Sequence, residues 1–384
     1  MRRYDCLKAI APKLGDELVV TNLANTATEW RAVRPAESNL YFVGMGMVTP
    51  YALGLALALP SRRILAFDGD GGLLFDPSVL GTMAAERPAN LCVVVFDNGG
   101  YVSTGKLRST ASLTAGTVDL AAVGRAMGLT NSRTVQTVDE FVGAVEAAFA
   151  ADAPSLIVAR TDAAQADVGT TPIDSKENKY RFVRHVEQSE GKVILRPSAK
   201  AHGAPAKPDP ASAPVSEADD FAQVLCQGLR ESAVDFVVGL PCSGLARAQA
   251  LCFDDPSLRY VGVAHEGTGM GLCAGAWLGG KRPAALIENF GLFASAYHLL
   301  RGQAAYGIPT LIVAEYRGDA GDQEFFAETG DVTEPFLEAI RVNHRVVRDL
   351  RSLKPAIRDG VRWMDFALRP YAVLPGYDLT RARG

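Results

Sequence analysis

No Cys-x-x-Cys pair and no zinc-finger spacing occur among the six cysteines, Cys6, Cys92, Cys226, Cys242, Cys252 and Cys273. That removes the common thiol-based metal and redox motifs. With several of these residues inside apolar runs, the expectation is reduced, buried thiols in a cytoplasmic protein. An excess of positive charge is missing too: 39 Lys and Arg against 43 Asp and Glu leave a formal charge of -4. Nothing in that balance supplies an electrostatic footprint for nucleic acid or an anionic membrane, so small molecules are the expected partners. The N-terminal "MRRYDCLKAIAPKLGDEL" has no apolar h-region and does not read as a secretory signal. One window, Tyr41 to Leu59, runs nineteen residues without a charge. Its Gly-Met-Gly kink, Pro50 and the charged turn that follows favour a buried loop plus helix over a membrane span. Short tandem repeats are absent. Histidine is scarce: only His185, His202, His265, His298 and His344 exist, and of these His265 and His298 lie near turns that could form a site.

What the chain does have is length and alternation. Its 384 residues exceed what one hydrophobic core usually supports, so two domains are expected. Short β-branched runs recur, each ending in a polar turn: "RRILAF" before "DGDGG", "LCVVVF" before "DNGG", "SLIVAR", then "VDFVVGLP", "LRYVGVAHEG", "RPAALIENFG" and "PTLIVAEYRGD". Helix-length segments such as "DPSVLGTMAAE" and "VDEFVGAVEAAFA" separate them. Strands alternating with helices predict α/β domains with doubly wound parallel sheets. Between Arg196 and Asp220 the composition turns to Pro, Ala, Ser and Lys without periodicity, as in a solvated linker. The division read from this is a first domain over 1–195, a linker over 196–215 and a second domain over 216–384.

Chemistry is concentrated between Phe67 and Tyr101. In an open parallel sheet, ligands bind beyond the carboxyl ends of strands, and both glycine-rich turns of this segment are such ends. Gly69, Gly71 and Gly72 allow the backbone to approach a phosphate, whereas Asp70 beside a phosphate calls for an intervening cation. Asn98 offers an amide oxygen and Gly99-Gly100 a pliable carbonyl. Carboxylate, amide, carbonyl and phosphate oxygens together suit magnesium. "DGDGG" alone is an unspecific turn and not a G-x-G-x-x-G fingerprint. Its pairing with "DNGG", across one helix and one strand, is the informative feature.

This segment resembles the thiamine diphosphate binding motif, with Gly69-Asp70-Gly71 at its start and Asp97-Asn98 at its end. Asp97 departs from the pattern, which has Asn there; the extra carboxylate either tightens a metal site or caps the turn. The resemblance implies Asp70, Asn98 and the Gly100 carbonyl as metal ligands. "VGVAHEGTGMGL" places Glu266 at a strand-to-helix junction, where it reads either as a helix N-cap carboxylate or as the glutamate that serves the aminopyrimidine ring of the cofactor. More closely, the chain resembles the phosphonopyruvate and sulfopyruvate decarboxylases over nearly its whole length apart from the linker. In that family a Met in a glycine-rich run props the cofactor, and Met45 matches it, while Met47 stands where His is often found. The diphosphate-binding (PP) domain comes first and the pyrimidine-binding (PYR) domain second, an inverted order, as if two separate subunits had been fused.

The resemblance implies thiamine diphosphate and Mg2+ as cofactors and decarboxylation of a small 2-oxo acid with an anionic tail, phosphonopyruvate or sulfopyruvate, to an aldehyde. The alternative is carboligation, in which the decarboxylated fragment attacks a second carbonyl compound. A non-catalytic binding protein retaining the fold is the third reading, opposed by Asp70, Asn98 and Glu266 occurring together. Residues expected around the cofactor are Met45, Gly46, Gly69, Asp70, Gly71, Gly72, Asn98, Tyr101, Glu266 and Asn289. Substrate candidates are Ser243 in "LPCSG", Lys106 and Arg108 in "STGKLRST" and Arg317 in "YRGD", each equally readable as an ordinary turn or surface residue. A homodimer or homotetramer with sites between PP and PYR domains is the implied assembly.

Overall fold

The computed structural model describes residues 1–104, 110–169, 173–196 and 220–381. It divides into two compact units, Met1–Lys192 and Val193–Gly384. Apart from Arg196, the expected linker 196–215 lies outside the described residues.

The first unit is built on six parallel strands: β1 (Leu18–Asn22), β2 (Asn39–Val43), β3 (Ile64–Gly69), β4 (Leu91–Asp97), β5 (Ser132–Val135) and β6 (Ser155–Arg160). Their order across the sheet is β2-β1-β3-β4-β6-β5. Every residue of β4, "LCVVVFD", is buried, as expected of a central strand covered on both faces. On one face an aromatic run fills the core. Trp30 meets Phe67 edge-on at 5.0 Å, Phe67 meets Phe96 at 5.6 Å, and Phe96 meets Phe141 at 6.0 Å. Phe141 comes from the helix Val138–Ala150, whose start is fixed by a capping box between Thr137 and Glu140. The charge-free window becomes the end of β2 and the helix Val48–Ala58, buried almost throughout. Pro50 falls in the first turn of that helix, where its missing N–H costs nothing. Among the described residues no helix is long and apolar enough to cross a membrane.

The second unit has β7 (Phe236–Gly239), β8 (Arg259–Gly262), β9 (Pro283–Glu288), β10 (Leu311–Glu315), β11 (Asn343–Val347) and β12 (Tyr371–Pro375). Read from one edge, the order is β8-β7-β9-β10-β12-β11, all parallel. Strand for strand this is the order of the first sheet. The halves therefore share connectivity as well as architecture, although no sequence repeat marks it.

That order locates the ligand positions. The chain leaves β1 toward β2 on one side, while β3 lies on the other side of β1, so the loops after β1 and β3 part and leave a crevice at the carboxyl ends of these strands. The same holds for β7 and β9. All six cysteines are free; five are buried and Cys242 is half-buried.

Candidate functional site

The crevice of the first unit is a defined cleft. Asn22 to Thr26 line it from the β1 side and Gly69 to Gly72 from the β3 side. Met45 after β2, Asn98, Gly100 and Tyr101 after β4, and Arg3 complete it. Eight of the residues singled out from sequence are thus brought together: Met45, Gly69, Asp70, Gly71, Gly72, Asn98, Gly100 and Tyr101. Gly46 stands behind Met45 with φ +70, and a Cβ there would fall 2.5 Å from the Phe75 ring, so both conformation and space require glycine. Gly71 is equally constrained: a Cβ would lie 2.2 Å from Cε1 of Tyr101, whose ring rests against the glycine turn.

The acids of the cleft are held from below. Asp68 is buried, and its Oδ1 accepts from the Gly69 N–H at 2.8 Å while Oδ2 accepts from Thr49 Oγ1 at 3.0 Å. Burial pushes its carboxyl up to about 6. Asp70 is 3% exposed. Its Oδ2 accepts from the hydroxyl of Ser112 and lies 3.1 Å from Thr114 Oγ1. Burial raises its pKa, and these hydroxyl bonds work against that rise. Ser112 and Thr114 reach Asp70 because the chain folds back after β4: Tyr101 N–H donates to Thr110 O at 2.8 Å and Ser112 N–H to Gly99 O at 2.9 Å. Asn98 Oδ1 accepts the Gly100 N–H at 2.9 Å, forming an Asx turn that fixes the amide beside the Gly100 carbonyl. A carboxylate, an amide oxygen and a backbone carbonyl thus face one cleft whose floor is glycine. Such a donor set fits a hard divalent cation accompanied by phosphate oxygens.

Asp97 is directed elsewhere. Its Oδ1 accepts from Gly99 N–H at 3.1 Å and Thr114 Oγ1 at 2.7 Å, and its Oδ2 is 2.8 Å from Arg160 Nη1, an ion pair without hydrogen-bond alignment. Lys106 and Arg108 lie outside the described residues.

In the second unit, Glu266 is the first residue of the helix Glu266–Leu278, four residues beyond the end of β8 at Gly262. It packs on Gly291, where a Cβ would come within 2.5 Å of Glu266 Cγ. His265 and the buried His298 stand edge-to-face at 6.0 Å beside Gly267. Asn289, fully buried after β9, donates its amide to Arg317 O and to Thr333 Oγ1, both at 2.9 Å, tying two loops together. Ser243 follows β7 and accepts from Arg381 Nη2.

Arg317 requires a correction. A substrate anion needs a free guanidinium edge, but this one is 6% exposed and fully committed. It donates twice to Asp322, at 2.8 and 3.1 Å, and once to Glu288, at 3.0 Å, and it stacks 3.5 Å from the Phe326 ring. It is a structural tie between β9 and β10, not an open anion site.

Sequence reasoning missed the β1 side of the cleft, Asp68, the Ser112 and Thr114 hydroxyls, and the group Glu315, Gly244 and Arg381. The signal for the first was present in "LVVTN", a short apolar run ending in a polar turn like the others.

Residues 23–159 match the family described as thiamine pyrophosphate enzyme, C-terminal TPP binding domain. The chain is 33% identical over 187 residues to sulfopyruvate decarboxylase subunit beta of Methanothermobacter thermautotrophicus, covering 48% of this chain and 96% of that one. To sulfopyruvate decarboxylase subunit alpha of Methanococcus maripaludis it is 31% identical over 122 residues, covering 32% and 73%. To phosphonopyruvate decarboxylase of Streptomyces hygroscopicus it is 36% identical over 140 residues, covering 36% and 34%. In fold it resembles benzoylformate decarboxylase from Polynucleobacter necessarius, with a TM-score of 0.56 over 98% of each chain at 11% identity.

Proposed function

The chain belongs to the thiamine diphosphate-dependent family of sulfopyruvate and phosphonopyruvate decarboxylases, and from that premise we propose that it decarboxylates a small 2-oxo acid with an anionic tail to the aldehyde, with magnesium as the second cofactor. The observation that carries the proposal is the convergence of Asp70, Asn98 and Gly100 with a glycine floor on one cleft at a strand-order switch point. When bound there, thiamine diphosphate supplies a sink for the electron pair left behind as carbon dioxide departs.

The protein groups then divide the work. Asp70, with Oδ2 held by hydroxyls, keeps Oδ1 for the metal, and Asn98 and the Gly100 carbonyl complete the protein's share of the ligands. Gly69, Gly71 and Gly72 let main chain approach the diphosphate, and Met45, Gly46 and Tyr101 shape the remaining wall. Glu266 would be the residue that meets the aminopyrimidine ring and supplies a proton-exchanging carboxyl there, and Asn289 holds the turn next to it. Ser243 is retained as a substrate contact. Lys106 and Arg108 remain proposed cations for the substrate, and Arg317 is not used. The first unit takes the PP role and the second the PYR role, so that the chain is a fused counterpart of the two-subunit relatives, assembling as a homodimer or homotetramer.

The test is a panel of sulfopyruvate, phosphonopyruvate and pyruvate, supplied with magnesium and thiamine diphosphate and followed for carbon dioxide and aldehyde. Stoichiometric aldehyde from an anionic-tailed acid is expected. Absence of carbon dioxide from all three would sink the proposal, and a coupled ketone product in the presence of added aldehyde would favour carboligation instead.

A further inference from the structure

Among the described residues that line the cleft of the first unit, Asp70 is the one acid and Arg3 the one Lys or Arg. We infer that Arg3 is a further binding residue of this cleft and holds a phosphate oxygen of the bound diphosphate; this rests on the thiamine diphosphate reading of the site. Arg3 is 6% exposed and its partner Glu29 1%. Nε donates to Glu29 Oε2 and Nη2 to Glu29 Oε1, both at 2.8 Å, a bidentate pair along one edge of the guanidinium. A second edge is left over. Nη2 carries two hydrogens, of which Glu29 takes one, and Nη1 has no partner among the described residues. The second Nη2 hydrogen and one on Nη1 run parallel, so the end of the guanidinium keeps two donors for the oxygens of a phosphate. A nearly buried cation with unused donors at a cleft wall is stabilised by an acceptor in the cleft.

Glu29 lies four residues after Asn25 in the helix Asn25–Val33, so the two share a face, and Asn25 and Thr26 line the same cleft. The pair with Glu29 therefore brings Arg3 beside the start of that helix. The helix has no side-chain cap, and its dipole puts partial positive charge at this end. A guanidinium and a helix N-terminus repel one another unless negative charge stands between them. Glu29 supplies one charge, which it divides between Arg3 and the Ala166 N–H at 3.0 Å. Asp70 is turned to Ser112 and Thr114 through Oδ2 and makes no ion pair with Arg3. A diphosphate supplies the missing negative charge. On this reading it meets a metal at Asp70 from the β3 side and a fixed cation from the β1 side.

The test uses the full chain, with Glu29→Gln and with the double substitution Arg3→Gln and Glu29→Gln. The readouts are urea unfolding and the dissociation constants of magnesium pyrophosphate and of thiamine diphosphate with magnesium, by calorimetry. Glu29→Gln leaves a buried cation without its counter-charge, so stability is expected to fall while pyrophosphate binds at least as tightly as in the wild type. The double substitution replaces the ion pair with two neutral amides. Stability is then expected to recover at least in part, while pyrophosphate and thiamine diphosphate both weaken by about tenfold or more. A role confined to folding makes affinity follow stability and cannot give that crossing. Affinity of the double variant within about threefold of the wild type overturns the inference, as does an equal loss in Glu29→Gln alone. The double variant decides the first of these outcomes even where Glu29→Gln fails to fold. Arg3-dependent pyrophosphate binding in a protein that takes up no thiamine diphosphate would support the anion site while defeating the cofactor reading.

Discussion

Asp97 and Arg160 are register partners across β4 and β6, and their charged atoms lie 2.8 Å apart. The carboxylate that stands where the thiamine diphosphate motif has an amide is thus turned to a cation on the neighbouring strand. Its other oxygen caps the turn through Gly99 N–H. Thr114 links it to the cleft: one hydroxyl proton is shared between Asp97 at 2.7 Å and Asp70 at 3.1 Å. Asp97 acts on the cleft through this hydroxyl and the turn.

Asp97→Asn should therefore cost stability more than metal affinity. The Asp97 side chain is buried while that of Arg160 is 39% exposed, so water takes over part of the lost pairing and about 1–2 kcal/mol of unfolding free energy is expected to go. Urea unfolding measures it. Magnesium-dependent cofactor affinity should stay within about threefold, a change worth under 1 kcal/mol; a far larger loss would place Asp97 among the metal ligands.

Gly71→Ala should displace the Tyr101 ring from the turn it rests on. Cofactor binding, followed by its thermal upshift of unfolding, is expected to weaken by about tenfold through overpacking at the cleft floor. Tyr101→Ala in the same chain should recover most of the loss. Failure to recover would mean that the backbone of the glycine turn, and not the ring, had moved.

Glu266→Gln should leave magnesium-dependent cofactor binding nearly intact and lower turnover by at least about 100-fold, the usual contribution of a positioned proton-transfer group. Turnover that survives this substitution would remove Glu266 from the mechanism.

Removal of metal with EDTA followed by desalting should abolish activity, and only magnesium and thiamine diphosphate together should restore it. Asp70→Asn should raise the magnesium concentration needed for half-recovery by about tenfold or more, because a charged hard ligand is replaced by a neutral one. Full recovery with thiamine diphosphate alone would contradict the assigned ligands.

Much of this was legible in local sequence. β3 and β4 are contiguous apolar runs, each ending in a glycine-rich acidic turn; the two turns could be read from the sequence, and the resemblance to the thiamine diphosphate motif joined Asp70 to Asn98. The β1 side of the cleft was harder, because Leu18–Asn22 is five residues long and follows a charged stretch that hides its period. Ser112 and Thr114 lie in a segment without periodicity; only the backbone pairing of Tyr101 with Thr110 reveals that they return to Asp70. Arg317 shows where local sequence stops. It stands in a polar turn after a strand, and what closes it to an anion is the position of Glu288 and Asp322, which tertiary folding alone brings into place.

The shared strand order of the two sheets gives the chain two crevices of the same topology. A diphosphate cradle and a proton-exchanging glutamate make opposite electrostatic demands, since a carboxylate set into the cradle would repel the phosphates unless a cation lay between. In the proposed reading, two sheets of one strand order let each demand be met on its own sheet. On that reading, a substitution in the glycine floor around Asp70 and one at the Glu266 acid act on different sheets.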